Sequence, residues 1–183
     1  PPALGAAHAA AMEAVQDPGL KGSPWIAEPV LTRELELLSQ SWQERDEDAR
    51  ALAVEAALAD LAEDPVPHVI HAAEIHERRA ERLLAQAAET GGEAAVALQL
   101  RAQESWREAG RTCRSPVETG MPAPYALLLF RAADAFERAG DVDRAVECLE
   151  HFVTRFHDDG HFPEAVYRLG RQYRLLGLYD KAL

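Results

Sequence analysis

Apolar residues recur along this chain every three to four positions, and short polar or glycine-rich breaks interrupt the recurrence. Leu31, Leu35, Leu38 and Trp42 fall at i, i+4, i+7 and i+11, one stripe of an amphipathic helix. The run "RDED" at 45–48 reads as a polar turn. Ala51, Val54, Leu58 and Leu61 then make a second stripe, so 30–64 predicts a pair of helices. Residues 67–89 predict one longer helix, with Val69, Ala72, Ala73, His76, Ala80, Leu83, Leu84 and Ala87 on its apolar side. Gly91 and Gly92 end it, and another helix follows over 93–110, carrying Ala95, Leu98, Ala102, Trp106 and Ala109. Strand-like alternation is nearly absent, so the pattern predicts an all-α protein.

The two ends of this region read differently. Ala3 to Gln16 predicts a short helix, and 17–29 a Pro- and Gly-rich loop in which Trp25 and Ile26 anchor. Thus 1–29 is expected to be an N-terminal extension and 30–110 a divergent helical-repeat or bundle region. The stretch "RTCRSPVETGMPAP" at 111–124, with Pro116, Gly120, Pro122 and Pro124, predicts a linker and the main internal boundary. Just before it, "SWREAGR" echoes "AFERAGD" further on, as a decayed first helix of a repeat.

From Tyr125 the chain lies over itself when shifted by 37 residues, Leu129 falling on Val166. Ala132 and Ala133 fall on Leu169 and Gly170, Phe136 on Tyr173, Gly140 on Gly177, and Ala145 on Ala182. Self-similarity at this period marks a helical repeat array. The small residues allow close packing, and the aromatics are large anchors about a turn later. Gly140 and Gly177 end the first helix of each copy, and Asp141 and Asp143 can cap the next. Trp42 and Ala51 take the aromatic and small places in the earlier pair, although Ser39 stands where the small Gly-type residue is expected.

The stretch 125–183 resembles the tetratricopeptide repeat. "VYRLGRQYRLLGLYDKAL" carries that pattern through Val166, Leu169, Gly170, Tyr173, Gly177, Tyr179 and Ala182. The first copy departs from it, with Ala132-Ala133 for Leu-Gly and His157 where proline is usual. The linker "RFHDDGHFPEAVYRLG" is similar to one in bacterial cell-envelope members of the family. The resemblance implies antiparallel helix pairs stacked as a right-handed solenoid. It implies a non-enzymatic scaffold or adaptor that holds a protein partner in its groove or serves as a subunit of an envelope-associated assembly, in the bacterial periplasm or else the cytoplasm. In such arrays the first helix of each repeat lines the concave groove. Carried over, that face takes Arg131, Asp134 and Glu137 from one copy and Arg168, Arg171 and Arg174 from the next. The last copy is cut short soon after its turn, which predicts exposure of Tyr173, Leu176 and Tyr179. The chain reads as a fragment, a processed product or the ordered part of something longer, since it begins at Pro1 rather than Met.

Charge and candidate chemistry adjust this picture in a few places. A net charge of −12 over 183 residues argues against nonspecific nucleic-acid binding, which needs a basic face. It also disfavours anionic membrane surfaces, and no apolar run is long enough to span a bilayer. Three arginines at i, i+3 and i+6 (Arg168, Arg171, Arg174) stand out in so acidic a chain. Arginine forks suit carboxylates, so the groove fits an acidic segment or a free C-terminus. The alternative is a solvated face neutralised by Asp134 and Glu137.

Cys113 and Cys148 lack zinc-ligand spacing and read as small buried hydrophobes. His68, His71 and Glu74 progress around one helix, but Glu74 lies too far round from His68. No HExxH or ExxH motif supplies the missing ligands, so no metal or cofactor is expected. His68 and His71 are then surface residues and His76 a core one. No phosphate loop or nucleophile elbow is present, and the acidic pairs Glu63-Asp64 and Asp158-Asp159 sit at helix ends or turns. The other reading is an all-α enzyme or metal-dependent domain with the repeats as its recognition arm.

Overall fold

The structure, a computed structural model, describes residues 5–6, 9–10, 12–13, 28–118 and 125–182. Seven helices account for most of them, and no strand occurs among the described residues. They are α1 (Glu28–Gln43), α2 (Asp48–Leu61), α3 (Val66–Thr90), α4 (Gly92–Glu118), α5 (Tyr125–Arg138), α6 (Val142–Arg155) and α7 (Phe162–Leu175). A short 3-10 turn, Tyr179–Lys181, follows. The chain divides into two compact units, Pro1–Ile75 and His76–Leu183. Within them, helices pack on their neighbours in sequence: α1 on α2 in the first unit, and α4 on α5, α5 on α6 and α6 on α7 in the second.

In the first unit the two predicted stripes meet. Leu35, Leu38 and Trp42 of α1 and Ala51, Val54 and Leu58 of α2 form one buried cluster with Ile75. Met12, Leu31, Leu52 and Leu61 pack at its edge. Removing these side chains from water is what holds the pair, since helices this short are marginal alone. The polar turn between them has a defined form. Asp46 takes a positive φ of 58°, the Glu47 N–H donates to Trp42 O at 3.0 Å, and the Asp46 N–H donates to Gln43 O at 3.1 Å. This is the paired-bond Schellman closure of a helix C-terminus. The described residues at 5–6, 9–10 and 12–13 are helical, within the short helix expected there. Helix α1 starts at Glu28, with Pro29 in its first turn, where proline costs no hydrogen bond. Trp25, Ile26 and the rest of the expected loop up to residue 27 lie outside the described residues.

The second unit repeats the same closure twice. After α5, Gly140 has φ 71°, the Asp141 N–H donates to Phe136 O at 2.9 Å, and the Gly140 N–H donates to Glu137 O at 3.0 Å. After α7, Gly177 has φ 73°, and the matching bonds run from Leu178 to Tyr173 at 2.8 Å and from Gly177 to Arg174 at 3.1 Å. In all three turns the left-handed residue stands four places after the buried aromatic. The Asp141 carboxylate then accepts from the Arg144 N–H and caps α6. Leu129, Ala132, Ala133 and Phe136 are buried as the pattern predicts. A Cβ on Gly170 would come 3.4 Å from the Ala182 carbonyl oxygen, so the small position does admit a neighbouring backbone.

Three expectations need correction. Helix α4 does not stop at 110 but continues through Pro116 to Glu118. Proline removes one backbone bond without preventing a helix that tertiary packing holds. Of the predicted linker, only 119–124 is left, and it lies outside the described residues. "SWREAGR", read as a decayed first helix of a repeat, is helical throughout, and its Gly110 sits inside α4. A Cβ there would lie 2.8 Å from two ring carbons of Phe136, so the glycine makes room for that ring. Tyr173, expected to be exposed, is buried; its hydroxyl donates to Glu150 of α6 at 2.5 Å, because the ring faces back onto the preceding pair. Leu176 and Tyr179 are exposed as expected, together with Val166, Tyr167, Leu175 and Leu178.

Burial first, and then the Glu150 carboxylate, push the Tyr173 phenol up to about 12. Its ordinary value is about 10. A raised acid stabilises the fold fully below the unfolded value and loses that contribution as pH climbs from about 10 to about 12. Tyr173→Phe should remove an absorbance step near pH 12 in a phenolate titration and flatten the alkaline fall in stability. Gly110→Ala offers a second check. Alanine normally gains about 1 kcal/mol over glycine inside a helix. Here overpacking against Phe136 costs about 1–3 kcal/mol, so the urea midpoint should fall rather than rise.

Candidate functional site

The six residues assigned to a groove all lie on α5 and α7, and the structure brings four of them into one network. Arg168 Nη2 is 3.3 Å from Glu137 Oε2 and 3.5 Å from Asp134 Oδ1. Arg171 Nη2 donates to the same Glu137 oxygen at 2.7 Å. One carboxylate on α5 thus ties two arginines of α7. Arg168 is buried, with its side chain only 8% exposed, and its guanidinium stacks 4.7 Å over the Phe130 ring. A buried guanidinium needs a carboxylate partner, which it has, and the ring face adds a cation–π attraction.

The other two arginines behave differently. Arg131 reaches Glu77, with Nη2 donating to both carboxylate oxygens at 3.2 Å. Arg174 is exposed and has no ion-pair partner among the described residues. Arg171 is about half exposed. The face is therefore mixed in character. Its inner arginine is satisfied within the chain, and Arg171 and Arg174 present charge outward.

Sequence reasoning passed over the residues that floor this face. Phe130 meets both the Arg168 guanidinium and the His161 ring, whose centroid is 4.7 Å away. Phe152 and Phe156 extend the aromatic row, at 5.7 Å and 5.6 Å between successive centroids. His161 is held by Asp159, whose Oδ1 accepts from its backbone N–H at 2.8 Å. That bond, and then the His161 ring, hold the Asp159 carboxyl below its usual range. The linker "HDDGHFP" carries the signal in hindsight, since Asp two places before His is an Asx-turn pattern.

The histidine region also departs from expectation. His68 is not a surface residue: its side chain is 12% exposed, and Nδ1 lies 3.2 Å from Glu55 Oε2. His71 is exposed, with Nδ1 3.8 Å from the same oxygen. Glu55 is buried on α2, and its other oxygen accepts from Ser39 Oγ–H of α1 at 2.5 Å. The buried apolar residue at this level of α3 is Ile75, whereas His76 is half-buried. His68, His71 and Ile75 share one face at i, i+3 and i+7, and that face turns onto α1 and α2. Cys113 and Cys148 are both buried, as read. Among the described residues no helix is long and apolar enough to cross a membrane.

Comparison with protein-family models, with curated proteins and with solved structures gives no match for this chain.

Burial separates the two α7 arginines. Arg168→Ala leaves Glu137, itself 11% exposed, with only one partner. Breaking a buried pair costs about 3–5 kcal/mol. Arg171→Ala breaks an exposed contact worth under about 1 kcal/mol. Urea unfolding of both variants should show the larger loss for Arg168 by a clear margin.

Proposed function

We propose that this chain is a non-enzymatic protein-interaction scaffold built from tetratricopeptide-like helix pairs that stack as a right-handed solenoid. The observation that carries this reading is the shared turn. Trp42, Phe136 and Tyr173 each precede a left-handed residue by four places and a small alanine (Ala51, Ala145, Ala182) by nine. Two helix pairs and the start of a third that share this turn, each unable to bury its own face, favour an array over a catalytic fold. The apolar surface of Val166, Tyr167, Leu175 and Tyr179 is of the kind that stacking covers.

The working face on this reading is formed by α5 and α7. Arg168 organises it from within, while Arg171 and Arg174 meet the partner. The partner is an acidic segment or a free C-terminal carboxylate, because planar guanidinium groups pair with carboxylates in a fork. The bacterial envelope setting rests on the likeness of the linker around Pro163, Glu164 and Ala165 alone.

Fluorescence anisotropy with a panel of acidic peptides, each with a free and an amidated C-terminus, tests the reading. Binding should weaken with added salt, as exposed charge contacts do. The double change Arg171→Glu and Arg174→Glu should weaken it roughly tenfold or more. Equal binding by the double variant, or no binding to any acidic peptide, overturns the assignment of this face.

A further inference from the structure

The buried Glu55 makes a second site in the first unit. Glu55, His68 and His71 each bring one ligand atom into a group whose members all lie within 4.8 Å of one another. The carboxylate comes from α2 and both imidazoles come from the first turns of α3. Glu55 Oε2 is 3.2 Å from His68 Nδ1 and 3.8 Å from His71 Nδ1. Donors around a tetrahedral ion at ~2.0–2.1 Å stand about 3.3 Å apart. The Glu55–His68 separation matches this, and the Glu55–His71 separation exceeds it by about 0.5 Å at an exposed side chain.

The surroundings are those of a built ligand set. Glu55 Oε1 is fixed by the Ser39 hydroxyl at 2.5 Å, and Gln43 Nε2 donates to that hydroxyl at 2.9 Å. Such a chain orients a metal-binding carboxylate and keeps its other oxygen facing the ion. A carboxylate this deeply buried is costly unless positive charge meets it. Ser39 and Gln43 supply only neutral donors, and the two histidines supply charge only when protonated.

We infer that Glu55 Oε2, His68 Nδ1 and His71 Nδ1 bind a first-row transition dication, with Zn2+ as the best match. Two imidazoles and one carboxylate select Zn2+ over Mg2+ or Ca2+, which prefer all-oxygen sets. The fourth position opens beside exposed His71 and takes water. The ion ties α2 to α3, and this assignment is independent of the peptide-binding face.

The test uses the tag-free 183-residue chain, stripped with a chelator and titrated calorimetrically with ZnCl2 or MgCl2. We expect one Zn2+ per chain and no comparable uptake of Mg2+. His71→Ala, which removes an exposed side chain and spares the core, should weaken Zn2+ binding at least roughly tenfold. Ser39→Ala should weaken it by about 10–100-fold, the range for residues that orient a ligand. Zn2+ should also raise the thermal midpoint of the unaltered chain and not that of His71→Ala. Absence of stoichiometric Zn2+ binding overturns the assignment. So does equal affinity in His71→Ala, which would place the ion elsewhere on the chain.

Discussion

Each first helix must stop at a fixed point, and a single residue both stops it and anchors it. The rings of Trp42, Phe136 and Tyr173 are all buried. Their backbone carbonyls accept the bond from the residue that follows the left-handed position. Ring burial and helix termination are therefore coupled. A ring that leaves the core strains the turn, and a turn that fails lets the helix run on and rotates the ring away. Glycine provides the left-handed conformation in two of the turns, and Asp46 provides it in the third, at a conformational cost that short polar side chains keep small.

Buried charge adds a second level of organisation. Arg168 on α7 and Glu55 on α2 are among the few charged groups inside, and each is met by partners on another helix. Pairs of this kind contribute little net stability against an apolar replacement. They discriminate between arrangements, because a shifted helix leaves a charge without its partner. Arg168 fixes α7 beside α5 in the second unit. Glu55 fixes the start of α3 against α2 in the first.

The sequence pattern made much of this legible, because burial follows spacing. The stripes of α1, α2 and α5 appear in the core almost residue for residue. The turns at Gly140 and Gly177 were readable because only a few residues adopt positive φ cheaply. What was hidden depended on contacts distant in sequence. Glu55 sits among alanines on a helix whose apolar stripe looks complete without it, thirteen residues before His68. Gly110 has the context of a cap but serves as a space for a ring two dozen residues away, which local composition cannot reveal. Pro116 and its neighbours look like a loop by composition, yet α4 carries through them because its buried side, including Cys113, continues. Tyr173 was expected to be exposed because the last copy is cut short, yet it is covered from the preceding pair, where its hydroxyl meets Glu150.

The Phe136 ring over Gly110 has a mechanical meaning. One turn before the glycine stands Trp106, and roughly one turn after it Cys113, both buried and both larger. The ring thus occupies a notch with a wall at each end. Sliding α4 along α5 by one helical turn drives the ring into a wall, so the axial setting of the two helices takes discrete positions. A smooth alanine face would let the pair creep under tension. Here the ring fits opposite the glycine and marks one axial setting.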